Sequence, residues 1–329
     1  MVIDVHAHII VPEVTRGAAP AEGWRPHVSW ESGQQVIEFG GRRLTSAVRE
    51  LVHIDGILEA QAASGVDRLL LCPWVSLLRY DADPDEGLRL SRIYNEALAR
   101  LAQAYSDRVS VLGTVPMQDP GLAARELESL MRLPGLCGVE VAASVRGAYL
   151  GDDRFRPFWD AAEATGALVF IHPSTRGFDL PAFNDYYLSN SVGYPLETTT
   201  VAAHLIMAGV MEAHPRCKVL LAHGGGAILS LRGRLRHTHT VVPQAKTRLH
   251  EPVDTSLRRF YFDTLTHDAD LLRAMIAYAG ADHVLLGSDY PFDMGVEHPA
   301  DPVRALGLPA DDEARVLGGN AAHLLGLEA

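Results

Sequence analysis

The chain has 329 residues, 47% of them hydrophobic and 21% charged, enough to bury a large core as one barrel-sized domain or two smaller ones. A formal net charge of −12 excludes the basic face that a nucleic-acid partner needs. The longest apolar runs, such as Leu69 to Trp74, are strand-length and far too short to cross a membrane, so no membrane partner is expected.

Short, β-branched apolar runs alternate with helix-like segments, the pattern of a parallel sheet. The first strand, Val2–Val5, leads from the N-terminus straight to His6 and leaves no room for a cleaved signal, which makes a cytoplasmic location the expectation. A long insertion, residues 9–50, follows with Trp24, Pro26, Trp30 and the turn Gly40-Gly41. Next come a helix over Leu51–Ser64, a strand over Arg68–Pro73, a helix over Gly87–Ala104 and a strand over Val109–Val115. They are followed by a helix over Gly121–Met131, a strand over Leu136–Val141, a helix over Phe155–Thr165 and a strand over Leu168–His172. Asp119-Pro120 and Asp153 mark two of the helix starts. A second insertion, Ser174 to Glu197, carries Phe178, Phe183, Tyr186, Tyr187 and Tyr194. The remainder reads as helix Thr198–Ala213, strand Lys218–His223, helix Ala227–His237, strand Phe260–Asp263, helix Asp268–Tyr278, strand His283–Ser288 and a closing helix near Asp311–Leu325.

Eight strand–helix units in this length predict an α/β fold, a (β/α)8 TIM barrel forming a single domain over 1–329, with an insertion after strand 1 and a long loop after strand 5. The alternative is an open doubly wound sheet. Its phosphate-binding glycines would follow the first strand, where His-Ala-His stands instead. Both insertions leave the C-terminal ends of strands, where long loops act as lids or substrate walls. Cys72, Cys137 and Cys217 are isolated in apolar stretches, which fits buried, reduced thiols.

Four motifs lie where strands end: Asp4-Val5-His6-Ala7-His8, Phe170-Ile171-His172-Pro173, Leu221-Ala222-His223-Gly224-Gly225-Gly226, and Leu286-Gly287-Ser288-Asp289-Tyr290-Pro291-Phe292. In His6-x-His8 the two imidazoles face the same side, because alternate strand residues do. A lone pair of this kind is weak evidence, and a lone buried histidine is more often a hydrogen-bonded core residue. Four histidines and one aspartate at the ends of a ring of parallel strands are different: they converge. Imidazole and carboxylate together suit one divalent ion such as zinc. Three histidines and an aspartate leave space for a water, which the ion would acidify. A fourth histidine beside that water could act as general acid or base. His27 and His267 could also sit near the mouth; the other histidines fall on helices or in surface-like contexts.

At these residues the chain resembles the amidohydrolase superfamily, most closely the branch of α-amino-β-carboxymuconate-ε-semialdehyde decarboxylase and its relatives. The resemblance spans nearly the whole chain, and His-Gly-Gly-Gly paired with Gly-Ser-Asp-Tyr-Pro-Phe is its specific part. It implies that His6, His8, His172 and Asp289 bind one zinc and that His223 is the general acid/base. Binuclear members carry a carbamylated lysine at the end of the fourth strand; Glu140 and Val141 occupy that region here, which implies a mononuclear site. The branch holds substrate carboxylates with two arginines, one from a neighbouring subunit. Arg234, eleven residues after His223, matches the shared one and implies a homodimer. Arg43 is the preferred match for the other, with Arg49 also possible, and a guanidinium suits a carboxylate because it can bind in a bidentate way. Phe292 would line the pocket. The second insertion lacks the tryptophan found in the semialdehyde decarboxylase, so the metal chemistry transfers better than the substrate.

The expected function is nonoxidative decarboxylation of an unsaturated or aromatic carboxylic acid, a small-molecule substrate. The zinc-bound water or the substrate itself would occupy the ion, with His223 and Asp289 managing protons. The alternative is metal-assisted hydrolysis of a lactone, amide or carbon–carbon bond, since the superfamily hosts both. A catalytically dead binding barrel would lack a ligand, and all five positions are filled.

Overall fold

The computed structural model describes residues 1–18, 23–31, 34–39, 41–44, 51, 53–174 and 180–327. Eight parallel strands follow one another in chain order. They are β1 (Ile3–Ile9), β2 (Arg68–Pro73), β3 (Val109–Gly113), β4 (Leu136–Ala142), β5 (Leu168–His172), β6 (Lys218–Leu221), β7 (Phe260–Asp263) and β8 (Val284–Leu285). The ring closes between its first and last members. Val5 N donates to Leu286 O at 2.9 Å, Asp289 N to His6 O at 2.7 Å and His8 N to Tyr290 O at 2.9 Å. This is the expected barrel.

The main helices between strands are α1 (Ile54–Ala63), α2 (Pro84–Ala104), α3 (Pro120–Leu130), α4 (Arg156–Thr165), α5 (Tyr194–Met207), α6 (Ile228–Val241) and α7 (Ala269–Ala279). Three of them, α2, α3 and α7, start at an aspartate whose side chain satisfies an otherwise unpaired N–H group. Asp119 accepts from Leu122 N at 2.9 Å ahead of α3, and Asp268 from Leu271 N at 2.7 Å ahead of α7. The closing helix is three pieces, Ala310–Ala314, a π-turn over Arg315–Gly319 and Asn320–Leu325. Among the described residues no helix is long and apolar enough to cross a membrane.

Alternation along the strands divides the core into two layers. Leu70, Cys72, Leu168, Phe170, Leu220 and Leu285 pack inside the barrel, while Leu69, Leu71, Val169, Ile171, Val219 and Leu221 pack against the helices. In β1 that alternation changes phase. Ile3 and Val5 belong to the inner layer, yet Ala7 and Ile9 belong to the outer one. The cause is a break in register between Asp4 and Ala7 against β2. One extra residue on β1 turns His6 and His8 inward, the use of a bulge to re-aim side chains. β1 therefore runs four residues past its expected end, and the histidines lie within it.

Three other strands are shorter than expected, β3 by two residues, since it ends at Gly113. β6 stops at Leu221 because His223 and the three glycines after it all take left-handed backbone, φ 55°, 59°, 73° and 63°. A side chain at Gly226 would bring Cβ to 2.1 Å from Pro195 O, so glycine is required there. β8 stops at Leu285 because Leu286 N turns away to Val316 O at 3.1 Å. The first insertion is not an irregular loop: His27–Glu31, Gln34–Phe39 and Arg42–Leu44 form a small antiparallel sheet. Cys72 and Cys217 are buried as expected, but Cys137 is only half-buried, and all three are free.

Candidate metal centre and active site

Strand ends deliver five side chains to the C-terminal mouth of the barrel. The bulge aims His6 and His8, His172 is the last residue of β5, and His223 and Asp289 sit on the turns just past β6 and β8. His6 Nε2 and His8 Nε2 each lie 3.3 Å from Asp289 Oδ1, and His223 Nε2 lies 3.7 Å from Asp289 Oδ2. One donor atom from each of His6, His172, His223 and Asp289 falls within 4.8 Å of the others. His223 and Asp289 hold φ of 55° and 57°, a region that costs a non-glycine residue free energy and that clusters at functional sites. The structure thus brings all five sequence-identified residues together.

The donors fit a divalent ion. His6 Nε2, His8 Nε2, His172 Nε2 and Asp289 Oδ1 are buried and have no hydrogen-bond partner. Four bare polar atoms facing one another would be a severe desolvation cost without a shared cation. In three of the rings the opposite nitrogen is committed: His6 Nδ1 to Asp263 Oδ2 at 2.7 Å, His8 Nδ1 to Pro73 O at 3.2 Å and His172 Nδ1 to Pro173 O at 2.8 Å. Because these partners accept, Nδ1 carries the proton and the Nε2 lone pair is left for a metal. His223 differs. Its Nδ1 has no partner, and its side chain is 13% exposed against 0% for His6 and His8.

Charge separates the three buried rings from one another. Burial lowers His8, and it lowers His172 well below the ordinary histidine value, reinforced there by the neighbouring imidazoles. Both rings are held neutral, the form that ligates metal. Burial also opposes protonation of His6, but Asp289 and Asp263 outweigh it and push the ring up to about 10, so an ion held at Nε2 would take the place of a proton there. Burial would raise Asp289, yet the charge of His6 holds it well below the usual carboxylate range.

Two acids that sequence reading left without a role support the site. Asp263 is fully buried at the end of β7. Besides His6 Nδ1 it accepts from His223 N at 2.9 Å, Gly224 N at 2.6 Å and Leu265 N at 3.1 Å. One carboxylate therefore fixes a ring that faces the centre and the strained turn that carries His223. Asp263→Asn would set an amide donor against backbone donors and is expected to weaken metal affinity by about 10- to 100-fold. Chelator competition would measure it, with unchanged affinity showing that His6 is held in other ways. Glu140 is likewise fully buried, with Oε2 4.0 Å from His8 Nδ1 and neither oxygen hydrogen-bonded; burial pushes its carboxyl well up.

Aromatic walls flank the centre. Phe292 lies 5.3 Å from the His8 ring and 6.1 Å from Trp74. Tyr194 stacks on His223 at 6.2 Å and 17°. Tyr186 and Tyr187 of the same insertion are 91% and 54% exposed, and Phe178 lies outside the described residues. Neither Arg43 nor Arg234 forms an ion pair with a residue of the centre. Arg43 sits in the small sheet, paired with Glu31 and, at 4.0 Å, with Glu38. Arg234 is exposed on α6, and Arg49 lies outside the described residues. His27 Nδ1 donates to Ala18 O at 2.8 Å, while His267 lines a cavity with His223.

A parallel barrel with this histidine–aspartate mouth defines the class of TIM-barrel proteins with a candidate metal centre. The chain belongs to the amidohydrolase family, whose sequence model matches residues 3–327. It is 31% identical to 2-amino-3-carboxymuconate-6-semialdehyde decarboxylase of Dictyostelium discoideum, over 80% of this chain and 74% of that one. It is 25% identical to the γ-resorcylate decarboxylase of Rhizobium radiobacter, over 99% of this chain and 98% of that one. The crystal structure of 5-carboxyvanillate decarboxylase from Sphingomonas paucimobilis superposes with a TM-score of 0.83 at 27% identity, covering 99% of this chain and 98% of that one.

Proposed function

We propose that this protein is a metal-dependent, nonoxidative decarboxylase of an aromatic or otherwise unsaturated carboxylic acid. The observation that carries this reading is the division among the four imidazoles. Three have Nδ1 committed and Nε2 bare, and the fourth, His223, is uncommitted and borders a cavity. The relatives named above are decarboxylases of such acids, which supports the same reaction type.

His6, His8, His172 and Asp289 would hold one divalent ion, and three imidazoles with a carboxylate favour zinc. When bound, the ion supplies a Lewis acid for substrate oxygens. The remaining work falls to side chains. His223 gives a proton to the carbon that bears the carboxylate, the bond to that carboxylate breaks, and its electron pair returns to the carbon skeleton as carbon dioxide leaves. The balance is R–CO2⁻ plus H⁺ to R–H plus CO2, so no water or redox partner is consumed. Asp289 Oδ2, 3.7 Å from His223 Nε2, steadies the ring as it exchanges the proton. Phe292 lines the pocket over His8. Arg43, on leaving Glu31 and Glu38, would meet a substrate carboxylate, and Arg234 would serve the substrate of a neighbouring subunit in a homodimer. The barrel and its first insertion work as one domain, and the three free cysteines support a reducing, cytoplasmic compartment.

The test is direct. Metal-loaded protein given hydroxybenzoic and carboxymuconate-type acids should release one carbon dioxide per substrate consumed. A new acid group in the product, formed with uptake of water, would make it a hydrolase instead.

A further inference from the structure

Three successive strands on the catalytic face end in turns that carry a non-glycine residue in left-handed backbone. They are His223 after β6 at φ 55°, His267 after β7 at φ 53° and Asp289 after β8 at φ 57°. Two of the three belong to the centre described above. Strain of this kind costs free energy and persists where the surroundings over-determine it, often at functional sites. His267 is the member without a role.

Its turn is held against that of His223. A side chain at Gly224 would put Cβ 2.7 Å from Thr266 Cγ2, so the missing side chain lets the two turns nest. The His267 turn is also fixed within itself: Thr266 N donates to Thr264 O at 2.8 Å, Thr266 Oγ1 to Asp268 O at 2.9 Å, and Asp268 caps α7. His267 and His223 line one cavity of about 300 Å³, with Tyr194, Leu265, Leu271 and Met294 among its walls. That volume is at the lower end for small-ligand sites. Its walls suit a flat ring, and Tyr194 already stacks on His223 there. The cavity's outer imidazole can donate or accept a hydrogen bond.

We propose that His267 is a specificity residue that hydrogen-bonds an oxygen substituent of the substrate ring other than the carboxylate that is lost. This rests on the decarboxylase reading and adds to it the residue that reads a second oxygen on the ring. His267 moves no proton in the reaction. It selects and orients the ring while His223 acts on it.

The experiment uses the metal-loaded full chain with benzoate, 2-hydroxybenzoate and 2,6-dihydroxybenzoate as probes. Affinities are read by competition binding, and carbon dioxide release is read separately. His267→Gly removes the imidazole while glycine adopts the left-handed backbone without strain. His267→Asn keeps a hydrogen-bonding group on a residue that tolerates that backbone. The wild type should favour the hydroxylated acids, and His267→Gly should erase that preference by about tenfold, the size of one hydrogen bond to a charged or phenolic group. Benzoate binding should be unchanged, and His267→Asn should recover part of the preference. Equal loss for all three acids, no loss in the glycine variant, or a wild type that does not discriminate would each overturn the assignment. Discrimination in binding without carbon dioxide from any probe would sink the decarboxylase reading and leave the role of His267 in recognition standing.

Discussion

Replacing His223 with alanine is expected to lower turnover by about 10²- to 10⁴-fold while leaving the metal content of the protein unchanged. The expectation follows from the ring's circumstances. His6, His8 and His172 are each pinned through Nδ1 and present a bare Nε2, whereas His223 has an unpartnered Nδ1 and borders the cavity. A ring free to change its proton suits transfer; a ring locked in one tautomer suits ligation. Metal analysis beside steady-state kinetics separates the two roles. Loss of the ion from His223→Ala would make His223 a ligand, which the 4.8 Å cluster leaves geometrically open. The same variant tests the shared site. Mixed with Arg234→Ala subunits, it should regain part of its activity if Arg234 acts across an interface. No recovery after verified subunit exchange would confine the site to one chain.

A second large effect is expected from the ligands. The purified protein should carry about one divalent ion per chain, and His6→Ala or Asp289→Ala should lose the ion and activity together. Asp289 is the more damaging position, because its Oδ1 lies 3.3 Å from both His6 Nε2 and His8 Nε2. Removing it leaves buried imidazoles facing one another without a counter-charge, and the folded protein loses stability as well as metal. Elemental analysis and a melting curve give the two readouts. Full activity in rigorously metal-free protein would end the metal-dependent account.

The centre was legible in the sequence because its residues sit at strand ends, and parallel strands bring their ends together. The imidazoles and Asp289 needed no long-range information beyond the barrel itself. The bulge in β1 was not legible, since it arises from pairing with β2 and not from any residue between Asp4 and Ala7. Asp263 was missed for a similar reason. An aspartate ending a strand reads as an ordinary turn residue, and its partner His6 lies 257 positions away. Residues 27–44 carry strands too polar and too short to stand out, because that sheet covers the barrel and does not build it. The pairing of Arg43 with Glu31 and Glu38 was not legible either, because it depends on how the strands of that sheet align.

The seam between the two ends of the sequence has a consequence for when the protein can become active. Asp4 accepts from Ser288 N at 3.1 Å, Asp289 N donates to His6 O at 2.7 Å, and the same Asp289 faces both β1 histidines. A nascent chain that has emerged only as far as β7 holds all four imidazoles but lacks the carboxylate and the strand that sets them. Metal loading through Asp289 would therefore be a late event in the life of the polypeptide, conditional on the last barrel strand docking against the first. An ion held by Asp289 and the β1 histidines would tie the seam that formed last.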